Sequence, residues 1–282
     1  MCSSDLDLAL ADLYYLTQNW KKAEHLLGSL ELNKSATNYP EQLLKIELLQ
    51  LKLDLALGDW EQVKKRCQSL SENMRIQLGN EEIRGKLFLQ CAQSMTIREQ
   101  DKRSVEKYYL SAWNLLKTGP KTRERGLGSL TTARGLFSYY GSRGYKASKL
   151  NVIMAAIEQA SEIALEIDDQ LLLSDCFGLR GLIQESRREF GQALGYYRAA
   201  TRAAQKVDRA ANLYRWQWFG GRSLAALNEP NLAIISYRNA VKTLEKTQSS
   251  MLLSDHKFLP KTIFETSIEP VYYELKIGRA HV

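Results

Sequence analysis

The chain has 282 residues, of which 44% are hydrophobic and 25% charged, with 5 prolines, 17 glycines and 4 cysteines. That composition excludes collagen-like, linker-like and disulfide-scaffold chains, and the longest uncharged run, the eleven residues Leu87–Ile97, is far short of the roughly 20 apolar residues of a membrane span. The net charge is +7, and its meaning depends on where along the chain it sits.

The two ends share an origin. Back-translated as ATC GGA AGA GCA CAC GTC, the closing Ile277-Gly-Arg-Ala-His-Val282 has a reverse complement that, read from GTG as a start codon, gives Met-Cys-Ser-Ser-Asp, the opening of the chain. The shared segment resembles a sequencing adapter. Residues 1–6 and 277–282 are therefore expected to be scars that carry no native fold. On this reading the native protein extends further, Cys67, Cys91 and Cys176 are its cysteines here, and His25 and His256 its histidines.

From residue 7 onward the pattern is helical and repeats. Trp20-Lys-Lys-Ala23 is followed by Leu27 and Leu30, and 40 residues later Trp60-Glu-Gln-Val63 is followed by Cys67 and Leu70. Val105, Tyr109 and Ala112 come after a step of 42, and Ile153, Ile157 and Ala160 after a step of 48. The stripe Ala193, Leu194, Tyr197, Ala200 and Ala204 then superimposes, shifted by 40, on Ala233, Ile234, Tyr237, Ala240 and Leu244, a stripe that also holds Val241, while upstream Gly181 becomes Gly221. These are the i, i+3/4, i+7 stripes of amphipathic helices. Gly58-Asp59, Asp168-Asp169 and Asn228-Glu-Pro230 read as turns, and the five prolines fall at or near helix starts or loops. One helical pair cannot bury its apolar face, so the pairs must stack.

This arrangement resembles the tetratricopeptide repeat, carried by Gly181, Ala193, Tyr197, Ala200 and Gly221, Ala233, Tyr237, Ala240. The resemblance implies an all-α, right-handed α-solenoid of about six helical hairpins over residues 7–249, with a pitch near 40. A loop and terminal helix over residues 250–276 would follow. Asn212-Leu-Tyr-Arg-Trp-Gln-Trp218, Gly221-Arg222, Ala233-Ile-Ile-Ser-Tyr-Arg238 and Ile268-Glu-Pro-Val-Tyr-Tyr-Glu-Leu275 resemble the last repeat of bacterial CHAT-domain proteins. In that family a caspase-like peptidase domain follows the repeats. The resemblance implies a fragment lacking that domain, with an apolar face around Ile268, Val271, Tyr272 and Leu275 left exposed.

Catalytic patterns are not found. No GxSxG elbow, HExxH pair or Walker-type loop exists. None of the cysteines belongs to a CxxC pair or has a histidine at metal-ligand spacing, so buried core thiols are expected. Three unpaired thiols would suit a reducing compartment without demanding it; compartment stays open. No cofactor, metal or catalytic residue is assigned.

Two surfaces are candidates for binding. Between Lys107 and Ile157 nine basic residues (Lys107, Lys117, Lys121, Arg123, Arg125, Arg134, Arg143, Lys146, Lys149) face one acid, Glu124, so the remainder of the chain sums to −1. This segment is either a basic surface for an acidic peptide or domain, a nucleic-acid contact using the interleaved Phe137, Tyr139, Tyr140 and Tyr145, or a solvated loop with those aromatics in the core. The second surface is the groove that first helices line in this repeat class. Register places Lys45, Lys52, Gln90 and Arg98 there, then Asp175, Leu182, Glu185, Arg215, Trp218 and Arg222. Trp218 is open to two readings, peptide anchor or intra-repeat packing. Leu179 and Phe219 stand where carboxylate-clamp relatives carry asparagine, so capture of a free C-terminus is not expected. The expected partner is a protein or peptide.

Overall fold

The structure is a computed structural model. It describes residues 3–32, 40–70, 79–97, 102–141, 147–207, 210–253 and positions 270 and 273. Among these the chain is all-helical. The helices are α1 (Ser3–Leu16), α2 (Trp20–Leu32), α3 (Pro40–Leu57), α4 (Trp60–Ser69), α5 (Glu81–Ile97) and α6 (Lys102–Leu116), then α7 (Arg123–Gly141), α8 (Ala147–Glu166), α9 (Gln170–Ser186), α10 (Phe190–Lys206), α11 (Ala210–Ala226) and α12 (Pro230–Leu253). No described helix is long and apolar enough to cross a membrane. The expected terminal helix, with Ile268, Val271, Tyr272 and Leu275, lies outside the described residues, as do His256 and Pro260.

The helices form tetratricopeptide-like repeats, grouped in two compact units, residues 1–156 and 157–282, whose boundary falls within α8. In the first unit α1 packs on α2, α3 on α4 and α5 on α6, while α1, α3, α5 and α7 pack in succession on one another. In the second unit α9 pairs with α10 and α11 with α12, and α11 also packs against both α9 and α10.

Tight turns close the pairs. Trp20, Trp60, Phe190 and Pro230 each open a second helix, and the residue two positions earlier adopts positive φ: Gln18 (59°), Gly58 (76°), Arg188 (62°) and Asn228 (62°). The spacing is 40 within each half of that set. A left-handed residue reverses the chain directly after a helix, and Gly58 alone of the four carries it without a Cβ to crowd the backbone. Polar side chains then start the next helix. Asp59 accepts from the Gln62 N–H at 3.2 Å, Asn80 from the Glu82 N–H at 2.9 Å, and Asp169 from the Leu172 N–H at 2.9 Å, which satisfies amides that have no intrahelical partner.

The pairs are held close by glycine against aromatic. A Cβ on Gly181 would lie 2.5 Å from the Tyr197 ring, and one on Gly221 would lie 2.5 Å from the Tyr237 ring. Gly135 stands in the same relation to Tyr109, and Gly178 receives the Trp216 ring. Tyr197 is wholly buried, as are Ala193 and Ala200, and Tyr237 is nearly so among Ala233, Ala240 and Leu244. Trp216, the largest fully buried side chain among the described residues, is also satisfied as a polar group. Its indole N–H donates to Ser174 Oγ at 3.0 Å, and that hydroxyl donates to the Ala200 carbonyl at 2.8 Å.

The cysteines differ from expectation. Cys67 on α4 and Cys91 on α5 are joined by a disulfide, with Cα atoms 5.7 Å apart and a sequence separation of 24. Both are fully buried. The expectation of three core thiols outside any disulfide holds for Cys176 alone, a buried thiol on α9. Two helices of successive hairpins bring together sulfurs that no local spacing connects.

The glycine contacts predict opposite outcomes at two positions. Gly181→Ala must displace the wholly buried Tyr197 ring and should destabilise the fold by about 1–3 kcal/mol. Gly195, whose Cβ would meet nothing within 4 Å, should accept alanine with a gain of up to about 1 kcal/mol from helix propensity. Urea unfolding of the two variants measures both, and equal midpoints would contradict the packing account.

Candidate functional site

The first helices of the hairpins in the first unit form a groove. A cleft of about 330 Å³ is lined by Leu48 and Lys52 on α3, Lys86, Leu89, Gln90 and Gln93 on α5, and Glu124, Leu127, Gly128 and Thr131 on α7. The steps between helices are regular, so the lining forms rows. Leu48, Leu89 and Leu127 run along the middle. Lys52, Gln93 and Thr131 lie on one side of them, and Lys86 and Glu124 on the other. Lys86 is held at its own end, with its ammonium 3.4 Å from Glu82 and 2.9 Å from Glu124. Thr122 donates to the other Glu82 oxygen at 2.6 Å. Lys52 sits over the Tyr15 ring, 6.0 Å from its centroid, a weak cation–π contact that leaves its head available. The result is an apolar floor with amide, hydroxyl and charged groups on both rims, the composition of a ligand cleft.

Of the residues expected in this groove, Lys52 and Gln90 line the cleft. Lys45 is one turn away and pairs with Glu41 at 3.3 Å on the exposed helix surface. Arg98 lies outside the described residues. Leu48, Lys86, Gln93, Glu124, Leu127 and Thr131 were not singled out from sequence. Steps of 41 and 38 residues from Lys52 lead to Gln93 and Thr131, a signal hidden because neither step equals the 40-residue pitch.

In the second unit the expected residues come together as a structural network. Asn212 on α11 donates to Asp175 on α9 at 2.8 Å. Arg222 approaches Glu185 at 2.7 Å, and the Tyr197 hydroxyl donates to the other Glu185 oxygen at 2.6 Å. Burial, followed by the Glu185 charge, pushes the Tyr197 hydroxyl far above the usual tyrosine range. It is therefore a fixed donor. Arg222 lies over Trp218 and Phe219, and Arg215 over Trp216, at 5.3–5.9 Å from the ring centroids. Trp218 is 9% exposed, stacked on Phe219 with centroids 4.8 Å apart. Of its two readings, intra-repeat packing is the one the geometry shows. Leu182 packs, partly buried, against the same core.

The basic segment is divided by its structure. Arg125 is 3% exposed, and its guanidinium donates to the carbonyls of Leu115 (3.1 Å), Leu116 (3.0 Å) and Thr118. Placing it on a basic surface is thus corrected: it closes the C-terminus of α6, where unsatisfied carbonyls and the helix dipole favour a cation. Lys149 pairs with Glu106, one residue before the segment as drawn from sequence. Lys117, Lys121, Arg123 and Arg134 are exposed, whereas Arg143, Lys146 and Tyr145 lie outside the described residues. Tyr140 is buried and donates to Glu106 at 2.7 Å. Phe137 and Tyr139 are half-buried on α7. Among the described residues no group of three His, Cys, Asp or Glu is placed to hold a metal.

Glu106 provides a test of this division. The hydrogen bonds from Lys149 and Tyr140 hold its carboxyl below the ordinary range. A carboxylate with a lowered folded pKa contributes stability that is complete above its unfolded value, about 4, and is lost as pH falls through the folded value. Glu106→Gln should cost about 1 kcal/mol at pH 7, with the gap closing as pH falls below the unfolded value and through the lowered folded one. Urea unfolding across that window measures it, and a gap independent of pH would show that the carboxylate charge is not the cause.

Comparison with known proteins bears on the fold. No protein-family model matches the chain, and no curated protein matches it. Among solved structures it is similar to BtubC (BKLC) from P. vanneervenii (TM-score 0.60, 12% identity, 93% of this chain and 96% of that one). It is also similar to a Rap protein complexed with Competence and Sporulation Factor (0.54, 13%, 98% and 76%). A third, aspartyl phosphate phosphatase F from Bacillus subtilis, matches at 0.51 and 18% identity, over 100% of this chain and 73% of that one. At these identities the likeness is one of architecture, the tetratricopeptide-like helical repeat.

Proposed function

We propose that the chain is a protein-interaction scaffold that holds an extended peptide across α3, α5 and α7. The observation that carries this reading is the cleft itself: Leu48, Leu89 and Leu127 form a continuous apolar row, and Lys52, Gln90, Gln93 and Thr131 stand beside it. Amide side chains can donate to and accept from a peptide backbone together, and an apolar row offers purchase for alternate side chains. One similar solved structure, the Rap protein, is described as a complex with a factor, which accords with a binding role for arrays of this kind. The basic segment supports a nucleic-acid reading less well, because Arg125 and Lys149 are committed to internal partners.

We further propose that the array is the recruiting or regulatory region of a larger CHAT-type peptidase. The support is the resemblance of residues 170–275 to the last repeats of that family. A freestanding adaptor is the second reading. It is favoured by the match to BtubC over 96% of that chain, since an array of this extent makes up a whole solved chain there. The coding sequence downstream of Leu275 separates the two. A continuing frame with a caspase-like His/Cys pair supports the first, and an early stop codon removes it.

Panning a random peptide display library on the purified chain tests the groove. Enriched peptides should bind the Gln90→Ala/Gln93→Ala variant about 10-fold or more weakly, the loss expected for one or two buried hydrogen bonds. Lys52→Ala should weaken those carrying acids. Enrichment of nothing, or equal binding by both variants, would contradict the proposal.

A further inference from the structure

The second unit carries a different cleft, on the opposite kind of helix. About 280 Å³ in volume, it lies between α10 and α12 over α11, lined by Leu194, Tyr197, Trp216, Gly220 and Leu224 below and by Arg198, Thr201, Arg202, Gln205, Gln217, Ser236 and Asn239 above. We propose that this cleft is an independent docking site for an acidic peptide segment of a partner protein.

Charge is the first argument. The sequence from Phe190 to Leu244 carries eight basic residues against two acidic ones. The +7 of the chain therefore has a second centre, which the −1 of the remainder concealed by cancellation with acidic residues elsewhere. Neither α10 nor α11 contains a carboxylate. Arg198 and Arg202 are exposed, sit one turn apart on the same wall, and have no ion-pair partner among the described residues. The other arginines of this unit's first helices are engaged: Arg180 with Glu158, Arg222 with Glu185 and Arg215 over Trp216. Two planar forks at i and i+4 suit carboxylates on one strand of peptide.

Hydrogen-bonding polarity is the second argument. The Thr243 hydroxyl donates to Gln217 Oε1 at 2.8 Å, so that amide offers the cleft its nitrogen. The Ser236 hydroxyl spends its proton on the Gln217 carbonyl at 2.7 Å. With Arg198, Arg202 and the Gln217 amide, the strongest polar groups are donors, which calls for a ligand rich in acceptors. The floor gives space as well. A Cβ on Gly220, in the cleft lining, would find its nearest neighbour at 3.6 Å, an ordinary contact, so the floor has room for a further carbon where Gly181 and Gly221 are filled by rings. A peptide meets both demands, with carboxylates for the wall and a small apolar side chain for the floor. The open wall and the lack of an aromatic platform on the surface argue against stacked bases.

The test uses the full chain and a fluorescein-labelled peptide of repeating Glu-Leu-Asp-Ala, read by anisotropy. Wild type should bind it and not its Lys-Leu-Lys-Ala counterpart, with affinity falling as salt rises. Arg198→Glu/Arg202→Glu should lose about 10-fold or more, while the charge-matched Lys64→Glu/Lys65→Glu on exposed α4 should bind as wild type. Gly220→Leu, which fills the floor, should also lose binding with its far-ultraviolet circular dichroism unchanged. Failure to bind the acidic peptide, equal binding by the Arg198/Arg202 variant, or preferential binding of an oligo-dT of equal length would overturn the proposal, the last in favour of nucleic acid.

Discussion

Where two helices of a hairpin meet, the ring of a tyrosine occupies the volume that residue 181 or 221 would otherwise fill with a side chain. Much of the second unit depends on that exchange. Because glycine lets α9 and α10 close on each other, Tyr197 is buried deeply enough to stack near Trp216 and Phe219, and its hydroxyl is pressed into Glu185. That carboxylate then has one oxygen left, which Arg222 takes. A small residue on one helix thus sets the position of a charged residue on the next hairpin, and side chains lent to such a network are withdrawn from binding.

The same logic distinguishes the two faces. In the first unit the first helices present an apolar row flanked by polar groups, with Lys86 paired to Glu82 and Glu124 on one rim and Lys52 on the other. In the second unit the corresponding positions are consumed by Asn212–Asp175 and Arg222–Glu185 contacts, while the second helices keep Arg198 and Arg202 in reserve. The same repeat architecture therefore leaves different side chains uncommitted on its two classes of helix.

Much of the fold was legible because stacking imposes a period on the sequence. Trp20, Trp60, Phe190 and Pro230 mark second-helix starts at the spacing that the turns require, and Gly181/Tyr197 and Gly221/Tyr237 are the same contact written twice. The site was less legible. A guanidinium's place depends on which carbonyls the fold leaves unsatisfied, so Arg125 read as surface charge although α6 ends against it. Trp218 was ambiguous for a similar reason, since its type suits both a core and an anchor. Cys67 and Cys91 lie on different hairpins, and only the docking of α4 beside α5 reveals that they meet. The groove residues of α5 and α7 follow steps of 41 and 38, which a search at a pitch of 40 passes over.

The bond between Cys67 and Cys91 has a consequence for how the first unit comes apart. Stacked repeats hold one another by nearest-neighbour contact, so such an array ordinarily opens by peeling from an end, one hairpin at a time. A covalent tie between α4 and α5 closes a 24-residue loop and, on a chain-entropy account, favours the joined state by about 3 kcal/mol. It also fuses the second and third hairpins into one cooperative block. Opening from the N-terminal side would release α1 and α2 and then halt at the tie. The helices beneath it, α3 and α5, carry Leu48, Lys52, Gln90 and Gln93, so the groove lies on the stretch of the unit least able to unravel piecemeal.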